Sequence, residues 1–293
     1  MAWIHVATNM ANKNFCLSGA MVKGFLFEAP KDQFMNLIAS KPIFIFLAIS
    51  LSLSEFTFAQ ISSHHGAWIR GDTTERMLTL VLTGHEYAES GGEILENLKK
   101  YRVKAAFFFT GDFYRNPDFQ PLIYQIKEDG HYLGAHSDKH LLYCDWEDRD
   151  SLLVSKGTFQ QDLMDNYLEM EKFGVSKEDA PFFLPPYEWY NDSISAWTAE
   201  LGLQLINFTP GTKSHADYTT PELENYIGSG AILESIWDFE AKNGLNGFIL
   251  LMHIGVGEKR KDKFARKLPE LIEGLRKRGY CWIPLEELLQ EKY

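Results

Sequence analysis

The sequence predicts an α/β protein, a β/α barrel of about seven strands in one domain. Two observations carry this. From about residue 76 short, almost wholly apolar runs alternate with amphipathic stretches, and continuous apolar strands separated by helices imply a parallel sheet covered on both faces. About seven such units within some 230 residues favour a barrel over an open sheet.

The elements follow in order. Met77 to Leu82 reads as a buried strand, and Glu93 to Tyr101 as a helix with Ile94, Leu98 and Tyr101 on one face. Ala105 to Phe109 is the next strand. Pro121 to Glu128 is a helix stopped by Gly130, and Tyr132 to Ala135 a short strand. Thr158 to Phe173 is a helix closed by Gly174, Pro181 to Leu184 a strand, and Ser193 to Leu201 a helix closed by Gly202. Leu203 to Phe208 is a strand, and Pro221 to Tyr226 opens a helix. Gly247 to Met252 is a clear buried strand, Lys263 to Arg278 a long amphipathic helix, Tyr280 to Ile283 a last strand, and a terminal helix runs to about Gln290.

The first sixty residues differ from the rest. Lys41, the uncharged run Ile43 to Leu53, and the small residues Thr57 and Ala59 before Gln60 have the layout of a secretory signal peptide over residues 35–59. The apolar run is short for a transmembrane helix. Residues 1–34 are read as a segment upstream of the true start at Met35. The mature protein, residues 60–293, is expected to be exported, periplasmic or secreted, with no stable membrane span after cleavage. A net charge of −11 repels phosphate backbones, so a nucleic-acid partner is not expected. Cys144 and Cys281 follow no Cys-x-x-Cys spacing and are left unassigned.

In barrels of this kind function collects in the loops after the strands' C-terminal ends. Four histidines stand directly after three separate strands: His85, His136, His140 and His253. His136 and His140 are four apart, so on one helical turn both imidazoles point the same way and reach one divalent ion. Glu86 or His85 can supply a third ligand. His253 ends an apolar strand, and an imidazole suits a general acid near neutral pH. Tyr187, Trp189 and Tyr190 follow a stiff Pro-Pro pair and offer aromatic faces to a sugar ring. Asp217, in the segment after the Leu203 strand, is placed with them as a substrate-binding residue.

The order of these motifs resembles the polysaccharide deacetylases, the NodB-like carbohydrate esterases. The resemblance runs from about Leu78 to Leu288. It rests on ILENLKKYRVKAAFFFTG (Ile94 to Gly111), HSDKH (His136 to His140), LPPY (Leu184 to Tyr187) and ILLMH (Ile249 to His253). It implies a distorted β/α barrel that removes N- or O-linked acetyl groups from a carbohydrate. One divalent metal, often zinc, is held by an Asp and two His; a second Asp is the base and a late His the acid. His136 and His140 then match the metal ligands, His253 the acid, and the Tyr187 backbone N–H an oxyanion donor. The family's first motif, Thr-Phe-Asp-Asp, here reads Thr83-Gly84-His85-Glu86. Matching the threonine makes His85 the base and Glu86 the metal-binding acid; matching from the helix makes His85 the ligand. The first matching is preferred, since Glu is a competent oxygen ligand and His a competent base. The Arg of the third motif is Leu184. These departures set two alternatives beside the deacetylase: a catalytically silent carbohydrate-binding relative, and a metallohydrolase of another amide or ester.

Overall fold

The computed structural model describes residues 61–290; the expected leader and upstream segment lie outside them. Within these residues the long strands are the expected apolar runs. β3 (Met77–Gly84) is buried from Leu78 onward, β4 (Ala106–Phe109) is buried throughout, and β8 (Phe248–His253) is buried up to Met252. They are preceded by β1 (Ser62–His64) and β2 (Ala67–Arg70), and accompanied by β5 (Tyr132–Ala135), β6 (Phe182–Phe183), β7 (Gln204–Leu205) and β9 (Cys281–Trp282). The strands hydrogen-bond in the order β1-β2-β8-β3-β4-β5-β6-β7, with β9 also on β3. All pairs from β8 through β7 are parallel, whereas β1–β2 and β2–β8 are antiparallel. An isolated parallel bridge, Trp68 to Ile206, brings β2 against the chain leaving β7, so the sheet curls into a distorted barrel. No helix of the described residues is long and apolar enough to cross a membrane.

The helices α1 (Gly91–Tyr101), α2 (Gly111–Arg115), α3 (Gln120–Glu128), α4 (Lys156–Glu171), α5 (Asp192–Glu200), α6 (Ser229–Asn243), α7 (Leu268–Lys277) and α8 (Leu285–Leu288) cover the sheet. Several boundaries differ from the sequence expectation, each for a local reason. The expected helix at Pro221 does not form. The helix lies at α6, where Asp262 accepts the backbone N–H of Ser229 at 2.6 Å and so satisfies its first turn. The expected helix over Lys263–Arg278 is divided into a 3₁₀ turn, Phe264–Lys267, and α7, with Pro269 in the first turn of α7. The β1–β2 hairpin was not expected. It turns at His65 and Gly66, both at positive φ, in a polar stretch without strand alternation.

One buried cation ties the C-terminal loops together. Arg260 is 0% exposed. Its guanidinium donates to the carbonyls of Thr219 (2.6 Å), Asp262 (2.7 Å) and Ile227 (3.0 Å). It therefore joins the segment after the 3₁₀ turn Ser214–Tyr218 to the start of α6. Without those donors three carbonyls lose their partners. Arg260→Met is expected to lower stability by roughly 3 kcal/mol or more, since each buried polar group left unpaired costs ~1–3 kcal/mol. Urea unfolding of the variant measures this.

Candidate active site

The parallel register sets the site. Gly84, Phe109, Ala135, Phe183 and Leu205 stand in register across β3 to β7, and Thr83 stands opposite His253. Strands β3 to β7 thus end on one line, and the next residue of each reaches the same rim. His85 and Thr110 lie one step past the line, with His85 Nδ1 at 3.0 Å from Thr110 Oγ1. Gly84 is required by packing, because a Cβ there would meet Ile254 and Phe109 side-chain carbons at 2.8 Å. His136 follows β5. Its Nδ1–H donates to the carbonyl of Leu184 at 2.7 Å, which leaves the Nε2 lone pair facing away from that bond. Its backbone N–H is shared between Phe109 O and Asn166 Oδ1.

His136 and His140 do not share a helical turn, contrary to expectation. The segment is a bend with Ser137 and His140 at φ 71° and 55°, stabilised by Ser137 Oγ accepting the His140 N–H at 2.9 Å. The bend still brings the rings together, at 5.1 Å between centroids. Burial, together with the neighbouring imidazoles, holds both histidines neutral: His136 is lowered to about 3 despite its bond to Leu184, and His140 falls further. Neutral imidazoles with free lone pairs are the protonation state that a metal needs. The third donor is not in place among the described residues. Glu86 is exposed, and among the described residues no three His, Cys, Asp or Glu side chains are arranged to hold a metal ion. His85, rather than Glu86, lies against His140, but the two rings are stacked at 4.7 Å and 7°. Parallel rings direct their in-plane lone pairs along separate planes, not to one point. The donor chemistry fits a divalent ion at His136 and His140, and the third position is not assembled.

A second cluster adjoins the first. His253 is the last residue of β8. Its Nδ1–H donates to Asp217 Oδ1 at 2.6 Å, and its backbone N–H to Asp217 Oδ2 at 2.9 Å. Asp217, expected to touch substrate, is 2% exposed, and both of its carboxylate oxygens are engaged by His253. Burial alone would lower His253, but the charge and hydrogen bond of Asp217, with the Glu188 carboxyl, raise it above the ordinary imidazole range.

Glu188 is a residue to which sequence reasoning gave no role. It closes the 3₁₀ turn Pro186–Glu188, where Tyr187 and Glu188 sit at φ 59° and 54°. Left-handed backbone at two successive non-glycine residues is costly and tends to be retained at functional sites. Asn207 Nδ2 donates to the Glu188 carbonyl at 2.8 Å and steadies the turn. Desolvation raises the Glu188 carboxyl to about 7; nearby His253 pulls it down and Asp217 pushes it up.

The aromatic residues divide. Tyr187 is exposed and its ring lies 4.4 Å from that of His140. Trp189 is half-buried, held by a bond from Nε1 to Asp145 O and by Arg149 over its ring at 3.5 Å. Tyr190 is not available to a sugar: it is 2% exposed, with its hydroxyl bonded to His64 O. Trp146 takes its place. It is 54% exposed and lies 5.6 Å from Tyr187 and 5.4 Å from Trp189. A lone tryptophan within the acidic run CDWEDRD was the available signal.

Fold and site together define the class: a distorted β/α barrel with its histidines and carboxyl groups gathered where the parallel strands end. The family model for polysaccharide deacetylases matches residues 73–206. A peptidoglycan-N-acetylglucosamine deacetylase of Bacillus cereus is 27% identical over 202 residues, 69% of this chain and 82% of that protein. The peptidoglycan-N-acetylmuramic acid deacetylase PdaA of Bacillus subtilis is 26% identical over 230 residues, 78% of this chain and 77% of its own. In fold, the chain is similar to a CE4 family pseudoenzyme from Bacillus anthracis, with a TM-score of 0.61 and 21% identity over 78% of this chain and 71% of that one. It is also similar to the structure of PdaA, with a TM-score of 0.59 and 24% identity over 77% and 85% of the two chains. The chain is thus similar to the polysaccharide deacetylase family, as a divergent relative, with the family model matching over residues 73–206.

The raised Glu188 carboxyl has a consequence for stability. Between the ordinary carboxylate range and about 7, the folded state keeps a proton that the unfolded chain has lost, so stability falls as pH rises through this window. Glu188→Gln removes that loss. The variant is expected to unfold at higher urea than wild type at pH 8, with a smaller gain at pH 5, read from midpoints at the two pH values.

Proposed function

We propose that the protein is an exported hydrolase that removes N-acetyl groups from an amino sugar of a wall polymer. The observation that carries this is the 2.6 Å bond by which Asp217 orients His253 at the rim that also holds His136 and His140. An imidazole whose Nδ1–H is fixed by a carboxylate presents Nε2 in one orientation and is stabilised when protonated. Such a group donates a proton to the nitrogen leaving a tetrahedral intermediate. The relatives named for peptidoglycan N-acetylglucosamine and N-acetylmuramic acid deacetylation support the substrate class. Tyr187, Trp189 and Trp146 form the aromatic flank for a sugar ring.

In this reading substrate binds with its acetyl group between His140 and His253. His85 is the base that the first motif offers, and the Tyr187 backbone N–H is the oxyanion donor that the family resemblance implies. The proposed cofactor is one divalent ion on His136 and His140, with His85 or Glu86 as the third donor; imidazole ligands suit zinc. When bound, the ion would polarise the acetyl carbonyl.

A silent carbohydrate-binding relative is the second reading. It is favoured by the exposed Glu86 and by the unassembled third donor position. Acetate release from N-acetylated glycan oligomers separates the two. The expected result is release by wild type, with Asp217→Asn slowed about 10²–10⁴-fold and His253→Ala at least as much. Binding of the oligomers without acetate release establishes the second reading. Elemental analysis after incubation with zinc is expected to show about one ion per chain, lost in His136→Ala and His140→Ala.

A further inference from the structure

Away from the histidine rim the molecule carries a second cleft. It lies where β3 and β8 begin. The eight residues of β3 separate it from the rim, roughly 23–26 Å at ~3.3 Å per residue. The cleft has a volume of about 610 Å³, and its walls include Arg70, Arg76, Lys242, Asn243, Asn246 and Tyr280. Three cations in one cleft stand out in a chain of net charge −11.

Backbone pairing builds the cleft from distant segments. The carbonyl of Gly247 accepts the N–H of Gly71 at 2.8 Å, and its own N–H donates to Met77 O at 2.7 Å. Arg70 and Arg76, the residues just before those two partners, therefore flank the same point. A Cβ at Gly247 would lie 2.4 Å from Gly71 O, so this approach requires glycine. Arg70 donates its Nε–H to Asn246 O at 2.8 Å, and its guanidinium stands 5.7 Å from the Phe248 ring centre. Arg76 donates to Arg278 O and stands 5.5 Å from the ring centre of Tyr280. Each guanidinium is thus held by one carbonyl and one ring. Its remaining N–H donors have no partner among the described residues.

Charge and donor chemistry define the ligand. Among the described residues no carboxylate pairs with Arg70, Arg76 or Lys242; the acid in the wall, Glu240, pairs with Arg278 at 3.3 Å. Burial holds Arg70 below its ordinary range, although Tyr280 opposes the shift. A partly desolvated cation without a counter-charge is unfavourable, and a bound anion offsets this. Tyr280 adds a neutral donor: its oxygen accepts the Leu245 N–H at 2.8 Å, and its own O–H makes no bond among the described residues. Guanidinium forks match the oxygens of a carboxylate or a phosphate. Three cations favour the more highly charged of these, and a phosphate monoester carries about −1.5 to −2 at neutral pH. Small-molecule sites span roughly 300–1,000 Å³, so this cleft admits a body beyond the phosphate. Asn243 and Asn246 bond through their amide nitrogens to Phe239 O and Thr73 O, which leaves their amide oxygens for hydroxyl groups. We infer that the cleft binds a small phosphate monoester with a hydroxylated body, such as a phosphorylated sugar, independently of the chemistry at the histidine rim.

Calorimetric titration of the full chain with glucose 6-phosphate, inorganic phosphate and acetate, at one ionic strength, tests this. Saturable binding of glucose 6-phosphate is expected, tighter than that of inorganic phosphate, with no saturable heat from acetate. Arg76→Gln is expected to weaken binding about tenfold or more, the loss of one charge-assisted bond. Arg266→Gln, which removes an exposed cation outside the cleft wall, is expected to bind as wild type. Arg76 and Lys242 are exposed, so Arg76→Gln and Lys242→Gln are expected to unfold at the urea midpoint of wild type, and a weakened affinity in them reads binding rather than folding. No saturable binding of either phosphate, equal binding of acetate, or wild-type affinity in both Arg76→Gln and Lys242→Gln overturns the site. Binding of inorganic phosphate without glucose 6-phosphate overturns the ester and leaves the free anion as ligand. None of these outcomes bears on acetate release.

Discussion

The organisation of this molecule depends on the shared register of its parallel strands. Because β3, β4, β5 and β6 end on one line, residues distant in sequence become neighbours without long side-chain reach. His136 ties itself to Leu184 at the end of β6, and His85 to Thr110 at the end of β4. A shift of one residue in any of these pairings would turn those side chains to the opposite face of the sheet. The apolar strands hold the register because both of their faces are buried, as at Phe107, Phe108 and Phe109, each 0% exposed. Core packing therefore sets the precision of the rim.

Against that rigid edge the loops carry conformational cost. Ser137, His140, Tyr187 and Glu188 are all non-glycine residues at positive φ, and they flank the two histidine clusters. Charge is concentrated there as well. His136 and His140 are held neutral by burial and mutual repulsion, while His253 is raised by the Asp217 carboxylate. Groups of one chemical type are thus driven in opposite directions over a short distance, the condition under which one acts as lone-pair donor and another as proton donor. Arg260, far from any catalytic role, anchors the segment after Asp217 through backbone carbonyls, so the orientation of His253 depends on a buried cation on the other side of that segment.

The fold was legible because the long strands are continuous apolar runs, and the placement of His136 and His253 at the ends of β5 and β8 was legible for the same reason. What the sequence concealed was set by contacts between distant segments. Strands β6, β7 and β9 are two residues long, too short for periodicity to delimit. Asp217 shows its partner only when the 3₁₀ turn folds against β8, and the spacing of His136 and His140 suggested a helical turn where Ser137 makes a bend. Tyr190 proved buried and Trp146, for which the sequence reading had no role, exposed, because the burial of each ring depends on how the loop after β5 meets the turn after β6. Glu188 carried no motif, and its significance comes from desolvation and from an unfavourable φ.

The divergence of the first motif has a physical reading in this frame. Gly84 is demanded by Ile254 and Phe109, so the chain leaves β3 close against the core. The residues after it separate, with His85 turned in toward Thr110 and His140 and Glu86 left outside. A loop in that path leaves the inner rim without an acidic side chain from the first motif. The acidic groups that act on His253 through their charge come from other elements, Glu188 from the turn after β6 and Asp217 from the segment after β7. The side chains beside His140 are the stacked imidazole of His85 and the ring of Tyr187 rather than a carboxylate, so the third donor position stays unfilled by the first motif.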